Sequence, residues 1–178
     1  MPIDRARTAR GALAGVIAAG AWSAQSPLDM RAFGVPYSDE ALLGKAVTQG
    51  PAWPFAGFGL HLLAGASLGA AYANLAPRIP LPSWARGPAV ALVEHLSTWP
   101  MTVAVERVHP ARSDFPVLWG NARAFAQATW RHLLFGVVLG ELERRFNAPA
   151  DTGVPPYEHV VSSNGHGNIE HAVGASES

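Results

Sequence analysis

Four apolar runs, Gly11 to Ala24, Trp53 to Leu75, Gly87 to Val105 and Phe125 to Leu142, divide this chain. Each approaches the roughly 20 residues a helix needs to cross a bilayer core; the first reaches that length only with Gln25 to Met30 included. Only 15% of the 178 residues are charged and 49% are hydrophobic, whereas an ordinary soluble domain is about a quarter charged. Lipid offers backbone groups no hydrogen-bond partners, so spanning segments of this length are helical. The pattern predicts an all-α, polytopic membrane protein with four transmembrane helices over about 11–30, 53–75, 86–105 and 122–143, forming one domain over 1–146.

The segments group as two tandem helical hairpins. His61-Leu62-Leu63-Ala64-Gly65-Ala66-Ser67-Leu68-Gly69 recurs seventy-one positions later as His132-Leu133-Leu134-Phe135-Gly136-Val137-Val138-Leu139-Gly140, with six of nine residues identical. On a helix His61, Gly65 and Gly69 share one face, as do His132, Gly136 and Gly140. The short, Pro-rich link from Ala76 to Ala85 separates two hairpins of equal topology, an arrangement that packs about an axis along the membrane normal. Gly11 with Gly15, Gly65 with Gly69, and Gly136 with Gly140 have the spacing that brings helix backbones close in lipid. Between the first two spans, Ser38 is placed to cap a short amphipathic helix through Asp39, Glu40 and Leu43, with a plain loop as the alternative. Trp53, Trp84 and Trp119, at segment starts, suit an aromatic belt. Residues 147–178 are rich in Pro, Gly, Ser and Asn and read as a disordered cytoplasmic tail, with His159, His166 and His171 solvated in it.

Orientation follows from charge. An even span number places both termini on one side, with Arg5, Arg7, Arg10, Arg78, Arg86, Arg144 and Arg145 against Arg31, Lys45, Arg107, Arg112 and Arg123 on the other. That bias favours cytoplasmic termini. The alternative is a cleaved signal peptide ending at Ala24, since basic residues precede a short apolar run and Ala-Trp-Ser-Ala. Zero net charge and the lack of a basic patch argue against nucleic acid, and without cysteine there are no disulfides or thiolate sites. The expected partner is the lipid bilayer, followed by a second copy or other membrane proteins.

The chemistry lies in ionisable residues inside apolar runs: His61 in the second, Glu94 and His95 in the third, Arg131 and His132 in the fourth. At about 1.5 Å of rise per residue all fall in a central band of the membrane. Such residues are costly in lipid and turn toward protein or water. One reading is structural, an ion pair between Glu94 and Arg131 joining the third and fourth helices. The other gathers His61, His95 and His132 into a site that responds to protons, relays them, or binds a metal ion or haem, with Asp29 and Glu106 at the mouth of a proton or cation path. No metalloprotease helix, phosphate loop or nucleophile elbow is present, so no enzyme site is expected and the cofactor is left open. The functions that fit are a proton- or ion-responsive membrane protein, a metal- or haem-binding bundle, and a structural partner of other membrane proteins.

Several of these residues recur in a family pattern. Ser26-Pro27-x-Asp29-Met30 after the first run, His61 with Tyr72, and Pro77-x-Ile79-x-Leu81 in the inner link resemble the YagU-like bacterial inner-membrane proteins, a family without an assigned biochemical function. So do His95 with Pro100, and His132 leading to Glu141, Glu143 and Arg144-Arg145. The resemblance covers Gly11 to Phe146, departs in shorter outer loops, and does not reach the tail. It implies a small multi-pass protein of the bacterial inner membrane whose histidines occupy recurring positions, and it supplies no reaction.

Overall fold

A computed structural model describes residues 4–148, and all regular structure among them is helical. Six α-helices follow in order: α1 (Arg5–Phe33), α2 (Asp39–Val47), α3 (Trp53–Leu75), α4 (Ser83–Thr98), α5 (Thr102–Val108) and α6 (Ala122–Phe146). The predicted tail, apart from Asn147 and Ala148, lies outside the described residues, as do His159, His166 and His171.

Local chemistry sets most of the ends. The Asp4 side chain accepts from the Arg7 backbone N–H at 3.0 Å to start α1, and Gly34 ends it in the left-handed region at φ 68°, a conformation nearly free of strain only for glycine. The Ser38 hydroxyl accepts from the Ala41 N–H at 3.2 Å, and Asp39 and Glu40 fill the first turn, so the short helix predicted there forms as α2. The Asn121 side chain accepts from the backbone N–H groups of Arg123 and Ala124 and starts α6. The third apolar run departs from one continuous helix over 86–105. Trp99–Met101 is a 3-10 turn separating α4 from α5, because Pro100 lacks an N–H and disfavours α geometry at the residue before it.

Packing of the long helices begins with glycine. A Cβ on Gly15 would overlap the carbonyl oxygen of Gly65, and one on Gly87 would overlap that of Gly136. Gly69 and Gly140 approach the same partners, Gly15 and Gly87 respectively. The two hairpins, α1 on α3 and α4 on α6, thus close through equivalent backbone contacts in which Gly87 is the counterpart of Gly15. The expected membrane-normal symmetry between the hairpins stops there. Helix α1 also packs extensively on α6, whereas α3 and α4 make no comparable contact, although a two-fold relation would require one. The long helices run in the order α3, α1, α6, α4, and the space between α3 and α4 stays open under α2 and α5. Helix α2 is held on α3 by close approaches of Gly44 to the Trp53 carbonyl and of Gly57 to the Glu40 carbonyl.

Among the described residues one helical stretch, Trp53–Arg78, is by itself long and apolar enough to cross a membrane. Helix α4 has 16 residues; α1 keeps its charges near its two ends with Gly, Ala, Ser and Gln frequent between them, and α6 carries Arg131 near its middle. The interior explains where that charge goes. Arg131, Gln127, His95 and Asp29 are buried, as are the small Ala14, Ala18, Ala19 and Ala73, while Leu13, Phe58, Leu63, Val93, Leu96 and Val137 are exposed.

Candidate functional site

Two of the buried polar groups meet at α6, and they diverge because Arg131 and His132 are consecutive on it. Neighbours on an α-helix point about 100° apart. Arg131 faces α1 and α2; His132 faces α4 and the cavity.

Arg131 is completely buried. Its Nε and Nη2 donate to the two oxygens of Asp29 at 2.7 and 2.6 Å, Nη1 donates to Asp39 at 3.1 Å, and Nη2 also reaches the Tyr37 carbonyl at 3.0 Å. The guanidinium lies 4.7 Å from the centre of the Tyr37 ring. Asp29 accepts further hydrogen bonds from Gln25 and Gln127, both at 2.6 Å. These contacts overturn the expected Glu94–Arg131 pair. Sequence spacing placed Glu94 at the depth of Arg131 and Asp29 nearer the outer end of the first helix; the direction in which Arg131 leaves α6 selects Asp29. Asp29 is likewise no pathway mouth, being 2% exposed and bound on both oxygens. Glu106 is a loop clamp, accepting from the backbone N–H groups of Leu118 and Trp119 at 2.9 and 2.8 Å.

The second group is a run of rings. His61 on α3 meets Trp22 on α1 edge-on at 5.3 Å between centroids, Trp22 meets His132 on α6 at 4.7 Å, and His132 lies 4.5 Å from His95 on α4. Glu94 joins it through Oε2, 2.9 Å from His132 Nε2. The structure therefore brings His95, His132 and Glu94 together, and links His61 to them through Trp22. Among the described residues no three metal-ligating side chains converge.

Hydrogen bonding fixes the proton positions on two rings. His132 Nδ1 is 2.7 Å from the Ala128 carbonyl, which can only accept, so Nδ1 carries a proton. Nε2 lies 2.9 Å from the Glu94 carboxyl, close enough for an imidazolium there to pair with a carboxylate. The Thr129 hydroxyl donates to the Phe125 carbonyl at 2.8 Å, which leaves its oxygen to accept from His95 Nε2 at 3.0 Å.

These rings line one wall of a cavity of about 670 Å³ to which all six helices contribute, including Asp39, Leu42, Leu68, Val105 and Phe135. Trp22 Nε1 and His61 Nε2, on two of the lining residues, are closed off and have no hydrogen-bond partner among the described residues. Sequence reasoning missed Trp22, read only as part of a cleavage-like motif. It also missed Gln25 and Gln127, although each stands four residues before a charged member of the Arg131 group, the spacing of same-face neighbours. Comparison with protein-family models, characterised proteins and solved structures finds no match to this chain.

Proposed function

We propose that the chain is a four-span protein of the bacterial inner membrane, with cytoplasmic termini, that responds to protonation through His132 and Glu94. The membrane setting is supported by an inverted distribution of polarity. Large apolar side chains such as Leu13, Leu63, Val93 and Val137 are exposed on all four long helices, while Arg131 and Asp29 are paired out of solvent and the partly exposed Glu94 lies against His132. A soluble monomer rarely exposes apolar surface on that scale, and ionisable residues in lipid turn to protein or water. The four spans would be α1, α3, α4 with its continuation, and α6. Membership of the YagU-like family is part of this proposal and rests on the residue patterns alone.

The single observation that carries the proton response is His132 set between two groups, with Nδ1 bonded to the Ala128 carbonyl and Nε2 lying 2.9 Å from the Glu94 carboxyl. The two groups stand on different helices, so a change of protonation there weakens one of several contacts between α6 and α4 and changes the charge beside Trp22. Histidine side chains commonly serve as protonation switches across about pH 5 to 8. The test is the intrinsic fluorescence of the purified protein in lipid nanodiscs across that range. A pH-dependent signal that disappears in both Trp22→Phe and His132→Gln is expected. A signal indifferent to His132 and Glu94 substitution contradicts the proposal.

A further inference from the structure

The cavity of about 670 Å³ has apolar walls, formed by Leu42 of α2, Ala64 and Leu68 of α3, and Val105 of α5. Its charged lining is of one sign: Asp39 and Glu94 are its carboxylates, and no lysine or arginine lines it. Each carboxylate is engaged through one oxygen. Asp39 Oδ2 accepts from Arg131 and Glu94 Oε2 lies against His132, whereas Asp39 Oδ1 and Glu94 Oε1 have no hydrogen-bond partner among the described residues. Both side chains reach accessible space, Asp39 being 30% exposed and Glu94 36%, in contrast to the closed-off Trp22 Nε1 and His61 Nε2. Positive charge nearby is scarce. Asp29 and Asp39 share the Arg131 guanidinium, and His132 balances Glu94 only when protonated. His109 is neutral, because its Nδ1 accepts from the Ala111 N–H while Nε2 donates to the Leu42 carbonyl. A carboxylate oxygen can only accept, and a charge among apolar walls requires a compensating partner, so the wall lacks a positively charged donor.

We infer that the cavity binds an amphiphilic organic cation, a protonated amine on an apolar chain, with the ammonium N–H donating to Glu94 Oε1 and the chain lying along Leu42, Ala64, Leu68 and Val105 in the gap between α3 and α4. Asp39 adds a second negative charge on the same wall. Apolar walls with a few placed polar groups suit an organic molecule, and a bare metal ion fits less well, since among the described residues no three metal-ligating side chains converge. The inference deepens the proposed function by naming the ligand class for the carboxylate at which protonation is read, and it rests on that reading for the lipid route by which the chain arrives.

The test is equilibrium dialysis of decylamine and, in parallel, of decanol against the full chain in phosphatidylcholine nanodiscs at one neutral pH, with empty nanodiscs to subtract partition into lipid. The two probes share a chain and differ in the charge of the head. Decylamine is expected to bind saturably at one per chain and about tenfold more tightly than decanol, the scale of a charge-assisted hydrogen bond to a partly buried carboxylate. Glu94→Gln, which keeps the shape and removes the charge, should weaken decylamine about tenfold and leave decanol unchanged. Decylamine binding no tighter than decanol, unsaturable uptake of decylamine, or a Glu94→Gln protein that is folded by circular dichroism and binds decylamine unchanged would each overturn the inference. The two-probe comparison needs only the wild type, so it holds even if Glu94→Gln fails to fold. Absence of the fluorescence response to pH in ligand-free protein, with selective decylamine binding intact, counts against the proton reading alone; a pH response without that selectivity counts against this inference alone.

Discussion

Arg131 and Asp29 are joined by two parallel hydrogen bonds of 2.6 and 2.7 Å, with both side chains closed off from solvent. The pair ties the end of α1 to the middle of α6, and Asp39 extends the tie to α2. Removing one partner of a buried pair leaves an uncompensated charge and lowers stability by about 3 to 5 kcal/mol, whereas replacing both with apolar residues is far milder. Arg131→Met or Asp29→Leu alone should therefore lower the detergent-solubilised unfolding temperature more than the double substitution. Equal or additive losses would show that the two residues are not coupled. Glu94→Gln, by contrast, should leave the effect of Arg131→Met unchanged.

The glycine contacts give a prediction with an internal control. Gly15→Ala and Gly87→Ala each drive a methyl group into a facing backbone carbonyl, and overpacking of this kind typically destabilises by about 1 to 3 kcal/mol. The two losses should be similar, because the contacts are equivalent. Gly20→Ala, on the same helix as Gly15 but with nothing within 4 Å of the new carbon, should be neutral or stabilising, since alanine is the better helix former. Thermal unfolding of the three variants in one detergent checks all of this.

Most of the helices were legible in the sequence, because apolar run length sets them directly. Trp53 to Leu75 coincides with α3, and the Ser38 cap marks α2. Helix α1 runs beyond the predicted 11–30 at both ends, since Asp4 and Gly34 set its limits by capping. The azimuth of each side chain was not legible. Arg131 was expected to meet Glu94, and the placement of α1 and α4 on opposite sides of α6 instead gives Arg131 to Asp29 and His132 to Glu94. Nor was the assembly of the hairpins, because a repeat in sequence dictates contacts within each hairpin and leaves free which helices meet between them.

His132 offers a proton-resolved prediction. Nitrogen NMR of histidine-labelled protein in lipid should show His132 Nδ1 protonated at every pH at which the fold persists, held by the Ala128 carbonyl. Only Nε2 should change state, and Glu94→Gln should alter that change. A titration appearing at Nδ1 would contradict the assigned hydrogen bonds.

Outside the proposed spans, Lys45 donates to Asp114 at 2.7 Å, and this hydrogen bond holds the Asp114 carboxyl below its ordinary range. A carboxylate depressed on folding contributes stability above its unfolded value and loses it as pH falls through the folded one. The contribution should be small, since the pair is solvent-screened. Lys45→Met should cost little at neutral pH, and its difference from wild type should vanish in acid below the ordinary carboxylate range, as read from unfolding curves at a series of pH values.

The chain contains no cysteine, so single spin labels can be placed at will on the exposed apolar positions Leu63 of α3, Val93 of α4 and Val137 of α6. Leu63→Cys, Val93→Cys and Val137→Cys, each spin-labelled and reconstituted in bilayers, report by paramagnetic relaxation whether the label meets lipid-soluble oxygen or a water-soluble nickel chelate. High oxygen and low nickel accessibility at all three sites is the result expected of a membrane-embedded bundle with its charge turned inward; high nickel accessibility at these sites would contradict it.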